Sequence, residues 1–227
     1  MLNFNSGLCN ANTCQIRGNI SLRESLGLRN DQNDCYFNSV LHVFMGLNPF
    51  MDVEQWVITT LPELQEYGKC LDTLQRILVC RCSNRFNLVS SFKKQLSKYY
   101  SIFANNEQQD CLEAFNHICD VLDKATQIPL GIDNLYVSCI KDNFVGLMTT
   151  KSICNLCNNT SYSDTEYREL YISPNHSIEE SLSLSYNFNR QQLCHTCNGD
   201  QLHNCQISFI TNPTILVLVV KKFDNNM

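Results

Sequence analysis

The chain has 227 residues, of which 17% are charged and 44% are hydrophobic. These values exclude bulk disorder, and a net charge of −5 argues against a non-specific nucleic-acid binder, which would present a basic surface. The longest apolar run, residues 215–220, is too short to cross a bilayer, and the N-terminus lacks a secretory signal. We expect no nucleic-acid or membrane partner and a cytoplasmic or nuclear location.

Helix signals dominate the first half of the chain. The spacing of apolar residues predicts helices over residues 35–44 and 71–78, and Asn87 is expected to cap a third helix. Residues 106–109 are typical of a helix N-terminus and predict a fourth helix. The apolar stripe of this fourth helix consists of Leu112, Phe115, Ile118 and Leu122.

Strand signals dominate after residue 130. Residues 144–152 and 162–172 carry the β-branched, aromatic and alternating polar residues of half-buried strands. Residues 214–223 form the clearest strand, and its continuous apolar stretch predicts burial on both faces. Helices followed by strands predict an α+β fold with a boundary near residue 130.

Two closely spaced cysteine pairs predict a metal site. Cys154 and Cys157 form one pair, and Cys194 and Cys197 form the other. Disulfides are rare in proteins that are not exported, and this chain has no export signal. Its closely paired cysteines therefore indicate metal ligands. Four thiolates on two tight turns suit a structural, tetrahedral Zn²⁺. Strands must return the second pair to the first, because the gap between the pairs is longer than in compact zinc ribbons.

Other potential ligands near these pairs are interpreted as bystanders. His195 lies inside the second pair and would distort its turn if it bound the same ion, while His203 and Cys205 follow closely. Cys9 and Cys14 have looser spacing and no second pair, so we assign them no metal.

Cys35 is the candidate nucleophile. The turn-rich residues 27–34 lead into a helix that begins near Cys35, where the helix dipole and free backbone N–H groups favour a thiolate. Asn30 precedes Cys35 in this loop, where its amide could donate to an oxyanion. A buried structural cysteine at a helix start is the alternative interpretation of these residues.

Residues 27–39 resemble the Cys box of the ubiquitin-specific cysteine proteases, Gly-Leu-x-Asn-Leu-Gly-Asn-Thr-Cys-Tyr-x-Asn-Ser, in register. This sequence departs from the box at Asp31, Gln32 and Asp34, which replace Leu, Gly and Thr. The loss of the glycine is expected to stiffen the loop beside Cys35. Residues 7–14 also resemble a Cys box, one residue short, but no apolar helix follows, so Cys35 is preferred over Cys14.

Further motifs of the same family occur in the expected order. Residues 107–113 resemble its Gln-Gln-Asp box, and residues 144–146 and Ser161 resemble the segments around its first zinc-binding pair. Residues 213–223 resemble its Pro-x-x-Leu…Lys-Arg-Phe strand, with Lys222 in place of Arg. Together these motifs cover residues 27–223 of the chain.

The resemblance implies a papain-like thumb-palm-fingers architecture, from which this chain lacks the C-terminal part of the palm. Residues 1–25 would be an N-terminal extension and residues 26–130 the helical thumb with both boxes. Residues 131–212 would be the zinc-bearing fingers, and residues 213–227 the first palm strand.

The resemblance also implies an activity and a partner. A deubiquitinase of this kind cleaves the isopeptide bond after the C-terminal glycine of ubiquitin, here through a thioester on Cys35, with Asn30 helping to form the oxyanion hole. Asp110 and Glu113 would face the basic tail of ubiquitin. Both acids would also complement the dipole of their own helix, and the two interpretations are compatible.

The general base of the family has no match here. It comes from a His box that follows the Lys-Arg-Phe strand, and the chain stops at Met227. His42 lies on the same predicted helix as Cys35, seven residues further, which is about 10 Å along the axis and beyond hydrogen-bond reach. Three interpretations stay open: an incomplete enzyme, a non-catalytic ubiquitin-binding protein, and a zinc-containing interaction module in which Cys35 is structural.

Overall fold

The computed structural model divides the chain into two compact units, Met1–Cys139 and Ile140–Met227. We call them the helical unit and the sheet unit. None of the helices formed by the described residues is both long and apolar enough to span a bilayer. The residues that the structure describes are 27–30, 33–79, 85–131, 135–174 and 176–220.

The described residues of the helical unit form four α-helices. Its α-helices are α1 (Cys35–Met51), α2 (Gly68–Val79), α3 (Arg85–Leu96) and α4 (Cys111–Ala125). Short 3₁₀ helices lie at Val53–Gln55, Pro62–Tyr67 and Ser101–Phe103. Two short strands, β1 (Ile128–Pro129) and β2 (Tyr136–Val137), pair antiparallel at its end.

Apolar stripes on α1, α2 and α4 form the core of this unit. Both α1 and α2 contact α4, and the rings of Phe44 and Phe115 stack with centroids 6.0 Å apart. Burying such a stripe is the main source of helix stability in proteins. The side chains that lose all solvent exposure here include Phe37, Leu41, Phe44, Leu71, Leu74, Phe92, Ile118 and Leu122. Helices predicted over residues 35–44 and 71–78 are confirmed, with longer bounds.

Two predicted helix starts are wrong. Asn87 lies inside the first turn of α3, which already begins at Arg85, so it is not a cap. The cap of α4 is Asp110 rather than Asn106, because the Asp110 carboxylate accepts hydrogen bonds from the backbone N–H groups of Leu112 and Glu113. Side-chain oxygens of Asp are among the best N-cap acceptors, and residues 106–109 form a loop ahead of the helix.

The sheet unit is built around one antiparallel sheet of four strands. Their spatial order is β4-β3-β7-β6, and a separate parallel pair is formed by β5 and β8. The strands are β3 (Gly146–Cys154), β4 (Thr160–Tyr167), β5 (Glu169–Ile172), β6 (Asn187–Cys194), β7 (Gly199–Thr211) and β8 (Val217–Val220). The helices are α5 (Cys139–Phe144), which begins at the division between the units, and α6 (Ile178–Tyr186).

Several strand predictions need correction. Phe144 ends α5 and belongs to no strand, and the predicted strand over residues 162–172 is broken at Arg168. The strand predicted over residues 214–223 is described only at Val217–Val220. Its burial on both faces is wrong for these residues: they are half-buried or exposed, because β5 is the one strand that pairs with β8 in the described part of the chain.

The sequence interpretation missed helix α6. Its first turn is a capping box: the Ser177 hydroxyl accepts from the Glu180 N–H, and the Glu180 carboxylate accepts from the Ser177 N–H. A Ser followed three residues later by Glu is a readable helix-start signal. This capping box lies in a region whose other residues favour strands, so the sequence pattern did not predict a helix there.

Candidate active site and metal centre

Cys35 is the first residue of α1, and its thiol is exposed. The buried face of α1 fixes the helix against the core through Phe37 and Leu41. The first N–H groups of a helix have no acceptors within the helix, so they are available to a negative charge near Cys35. An exposed thiol in this position contradicts the alternative of a buried structural cysteine.

Two asparagine side chains hold the loop around Cys35. Asn33 has a left-handed backbone with φ 58°, a conformation that Asn tolerates better than most residues, and its amide donates to the Asn106 carbonyl over 3.1 Å. The buried Asn38 amide donates to the Arg29 carbonyl over 2.9 Å. The first of these bonds ties the loop before α1 to the loop before α4.

This tie places Gln108 beside the thiol. The Gln108 amide nitrogen lies 4.0 Å from Cys35 Sγ, as a long N–H···S contact between groups 73 residues apart. The Cys box and the Gln-Gln-Asp box therefore meet at the thiol. The sequence motifs named Gln108 without giving it a role, because nothing in the spacing of residues shows which member of the box faces Cys35.

Asn30 lies exposed in the segment of residues 27–30. Asp31 and Gln32, which follow it, are outside the described residues. The oxyanion-hole role of Asn30 therefore stays a prediction.

Asp110 is the N-cap of α4 and Glu113 lies in its first turn, and both are exposed. Asp110 Oδ1 accepts from two backbone N–H groups, at 2.6 and 3.2 Å, and so acts as the helix cap. Glu113 Oε1 lies 3.6 Å from Nε2 of His117, whose ring stacks on Tyr100 with centroids 3.8 Å apart. Capping is thus an observed role of Asp110, and ubiquitin binding stays a prediction for both acids.

Lys93 is a neighbour of this site that the sequence interpretation missed. Its ammonium lies 2.5 Å from a carboxylate oxygen of Asp34, the residue before Cys35. It also lies 5.8 Å from the ring centroid of Tyr36, the residue after Cys35. Burial is the main cause that raises the pKa of the Tyr36 phenol to about 12, and the negative charge of Asp34 adds to it. Lys93 comes from α3, 59 residues from Asp34, so local sequence carries no signal for the contact.

The four predicted metal ligands converge in the sheet unit. The sulfur atoms of Cys154, Cys157, Cys194 and Cys197 all lie within 4.8 Å of one another. Strand β7 pairs with both β3 and β6, and each of these strands ends at the first cysteine of a pair. The predicted return of the second pair to the first is therefore confirmed. Left-handed backbones at Asn158 and Asn198 close the two turns.

The electrostatics of this cluster favour a bound cation. Hydrogen bonds from the backbone N–H groups of Cys157 and Cys197 lower the pKa of the Cys154 and Cys194 thiols, in the latter case to about 7. Crowding has the opposite effect on Cys197, whose pKa is raised to about 12 chiefly by its side-chain hydrogen bond with Cys157. Four thiols this close cannot all ionise together unless a positive charge joins them. The cluster could hold a metal ion.

The neighbouring histidines are not part of the cluster. The group of candidate ligands in the described residues contains neither His195 nor His203 nor Cys205. His203 is buried opposite Cys154 in the β3–β7 ladder, and its Nδ1 lies 2.9 Å from the Gln201 carbonyl. Cys205 Sγ lies 3.4 Å from the Ser152 hydroxyl. Cys9 and Cys14 lie outside the described residues.

Comparison with solved structures shows the fold. A chain of the SAGA Ubp8/Sgf11/Sus1/Sgf73 DUB module bound to ubiquitin aldehyde superimposes with a TM-score of 0.67 and 18% identity, over 90% of this chain and 49% of that chain. The same module bound to monoubiquitin gives a TM-score of 0.69 and 20% identity, over 94% of this chain and 52% of that chain. This chain thus spans about half the length of those solved chains. The predicted α+β fold class is confirmed.

The family follows from a broader match. A model of the ubiquitin carboxyl-terminal hydrolase family matches residues 26–227, which include both boxes and both cysteine pairs. The match covers most of the chain, in agreement with the motif resemblance. This protein belongs to the ubiquitin carboxyl-terminal hydrolase family.

Proposed function

We propose that this protein is a cysteine-type deubiquitinase with Cys35 as its nucleophile. One observation carries the proposal: the exposed thiol at the start of α1 lies 4.0 Å from the amide of Gln108, so the two family boxes meet at one sulfur atom. Family membership supports the reaction class. Nucleophilic cysteines favour partly exposed positions at helix N-termini, which is where Cys35 lies.

The proposed reaction has two steps. In the first, the Cys35 sulfur attacks the carbonyl carbon of the C-terminal glycine of ubiquitin, a C–S bond forms and the isopeptide C–N bond breaks. The thiol proton passes through a general base to the leaving amine. In the second step, water hydrolyses the thioester, releasing free ubiquitin and the thiol. Asn30 is proposed to donate to the oxyanion, because it belongs to the same loop as the nucleophile.

Ubiquitin is the proposed partner, bound through its basic tail by Asp110 and Glu113. Both carboxylates are exposed at the start of α4, two and five residues after Gln108, whose amide lies 4.0 Å from Cys35 Sγ. The solved modules of similar fold are bound to ubiquitin aldehyde and to monoubiquitin. Ubiquitinated proteins are the proposed substrates.

The proposed metal is one structural Zn²⁺ held by Cys154, Cys157, Cys194 and Cys197. A tetrahedral Zn²⁺ with Zn–S bonds of about 2.3 Å places its sulfur ligands about 3.8 Å apart. The Cys154–Cys197 and Cys157–Cys194 sulfur distances are 3.9 and 3.6 Å, which fit this geometry and are far too long for disulfides. Bound zinc would supply a crosslink between β3 and β6.

A second candidate function is ubiquitin binding without hydrolysis. The two histidines of the helical unit, His42 and His117, favour this function. Within the described residues of that unit, neither histidine lies beside the Cys35 thiol. His42 lies two turns along α1 from Cys35, and His117 is engaged by Glu113 and Tyr100. A fluorogenic ubiquitin amide separates the candidates. Turnover that is lost in Cys35→Ser supports the enzyme, and binding without turnover by the 227-residue chain supports the second function.

The proposed tail contact is tested by titrating ubiquitin into wild-type protein and into Asp110→Asn. Asparagine keeps a capping oxygen for α4 while it removes the charge, so an effect on binding is separated from an effect on folding. We expect about two- to fivefold weaker binding, the usual size for one exposed charge pair. Glu63→Gln, an exposed acid elsewhere in the unit, is the matched control and should bind as wild type does. Equal affinity for wild type and Asp110→Asn would remove the contact from the proposal.

A further inference from the structure

Asp34 occupies the N-cap position of α1 but does not cap the helix. Its side chain accepts no hydrogen bond from the first turn, and its backbone (φ −81°, ψ 13°) departs from the extended form usual at this position. Asp110 shows the ordinary arrangement at the start of α4, with an extended backbone and two N–H groups bound to its carboxylate. The two aspartates precede helices of similar length and behave differently.

Lys93 accounts for the difference. Its ammonium lies 2.5 Å from Asp34 Oδ1, and both side chains are largely buried, with 13% and 20% of their surface exposed. The same ammonium faces the Tyr36 ring, whose hydroxyl donates to the Ile102 carbonyl. Lys93 therefore contacts both chain neighbours of Cys35, and the carboxylate of Asp34 points to α3 instead of to the N-terminus of α1.

We propose that Lys93 is a positioning residue for Cys35. It holds the Asp34 carboxylate away from the first N–H groups of α1 and neutralises its charge. Without it, the carboxylate would accept those N–H groups and place a second negative charge beside the ionised sulfur, which like-charge repulsion disfavours. The inference rests on the proposed role of Cys35, and it explains how this chain accommodates Asp where the family motif has Thr.

The test measures the reactivity of Cys35 toward iodoacetamide in the full, metal-loaded chain, with the Cys35 peptide quantified by mass spectrometry. In Lys93→Met, which keeps the aliphatic stem, we expect alkylation to slow by about two- to fivefold, the range for one charge at a helix terminus. Lys93→Arg should keep the wild-type rate, because it keeps the charge. Lys94→Met changes the next residue of α3, which is exposed, and should have no effect.

A double variant separates positioning from simple stabilisation. If Lys93 acts by restraining Asp34, then Asp34→Ala/Lys93→Met should regain the wild-type rate within about twofold, because no carboxylate remains to be held away. If the pair merely stabilises the fold, the double variant should be as slow as Lys93→Met. That result, or an unchanged rate in Lys93→Met, would overturn the inference.

Iodoacetamide needs no ubiquitin, so this test is independent of the proposed function. A Lys93-dependent rate combined with no reaction toward a ubiquitin-based electrophile would keep the inference and reject the function. An alkylation rate that does not depend on Lys93, combined with reaction toward the ubiquitin-based electrophile, would keep the proposed function and reject the inference. Melting curves recorded for each variant show whether the fold is retained.

Discussion

The helical unit and the sheet unit differ in the side chains that they bury. Helices α1, α2 and α4 bury large apolar side chains completely, among them Phe44, Leu74 and Ile118. Along β3, β4, β6 and β7, the buried residues that the structure describes are small, polar or cysteine, with Tyr167 as the large exception. Leucines at positions 193 and 202 are 56% and 44% exposed.

This contrast shows where each unit obtains its stability. Burial of a large apolar side chain contributes about 1.5–3 kcal/mol, so the helical unit gains from many such residues. The sheet unit has few in its described part, but it brings four thiols within 4.8 Å of one another. Metal binding at such a cluster stabilises the fold directly. We therefore expect the stability of the sheet unit to depend on the proposed metal, and that of the helical unit not to.

The largest expected effect comes from removing the metal ligands. Cys154→Ser/Cys194→Ser should abolish metal binding and unfold β3, β6 and β7, while α1, α2 and α4 stay folded, because few large apolar side chains are buried along the described residues of these strands. Hydrogen exchange resolved by peptide measures the two units separately. Elemental analysis should give about one zinc per wild-type chain and none in the variant.

Cys205→Ala is the control for this experiment. Cys205 is buried in the same sheet but lies outside the cluster, so the variant should retain the metal. A double serine variant that keeps the exchange protection of β3 and β7 would contradict the dependence of this unit on metal.

The next largest effect comes from one leucine in each unit. Leu74→Ala, at a fully buried position of α2, should lower the free energy of unfolding of the helical unit by about 2–5 kcal/mol. Leu193→Ala, at an exposed position of β6, should change the stability of the sheet unit by less than about 0.5 kcal/mol. Denaturant titration followed by exchange in each unit gives both values. Similar losses of unfolding free energy at the two positions would show that the sheet unit also has an apolar core.

A pair of glycines gives effects smaller than that of Leu74→Ala, and of opposite sign. A Cβ at Gly146 would lie 2.5 Å from the Tyr167 ring and 2.7 Å from the Thr211 carbonyl, so Gly146→Ala should destabilise the sheet unit by about 1–3 kcal/mol. Gly46 lies inside α1, and a Cβ added there would enter open space. Gly46→Ala should stabilise the helical unit by about 0.5–1 kcal/mol, because alanine favours the helix. Thermal melting measures both changes, and a stabilising Gly146→Ala would refute the close approach.

The fold was predictable where the pattern is strong and local. Periodic apolar residues predicted helices at α1, α2 and α4. Errors arose where two signals overlapped: α6 begins with a capping box inside a strand-rich region, and β8 is apolar without being buried on both faces. Burial depends on which strands pair, and a single segment does not contain that information.

The convergence of the four cysteines was predictable for a similar reason, because close spacing within each pair limits the geometry. The surroundings of Cys35 were less predictable from the sequence. Gln108 and Lys93 reach the site from 73 and 58 residues away along the chain, and such contacts exist only once the helices pack. Asp34 was visible in the sequence as a departure from the family box, but its partner was not.

The central claim is that Cys35 is the thiol that reacts with the C-terminus of ubiquitin. Ubiquitin carrying a thiol-reactive electrophile at its C-terminus tests it most directly, with the modified residue identified by peptide mapping. Cys111 is a matched control, since it is also an exposed cysteine at the first residue of a helix. We predict one ubiquitin per chain on Cys35, loss of labelling in Cys35→Ser and full labelling in Cys111→Ser. Labelling that persists in Cys35→Ser would contradict the account.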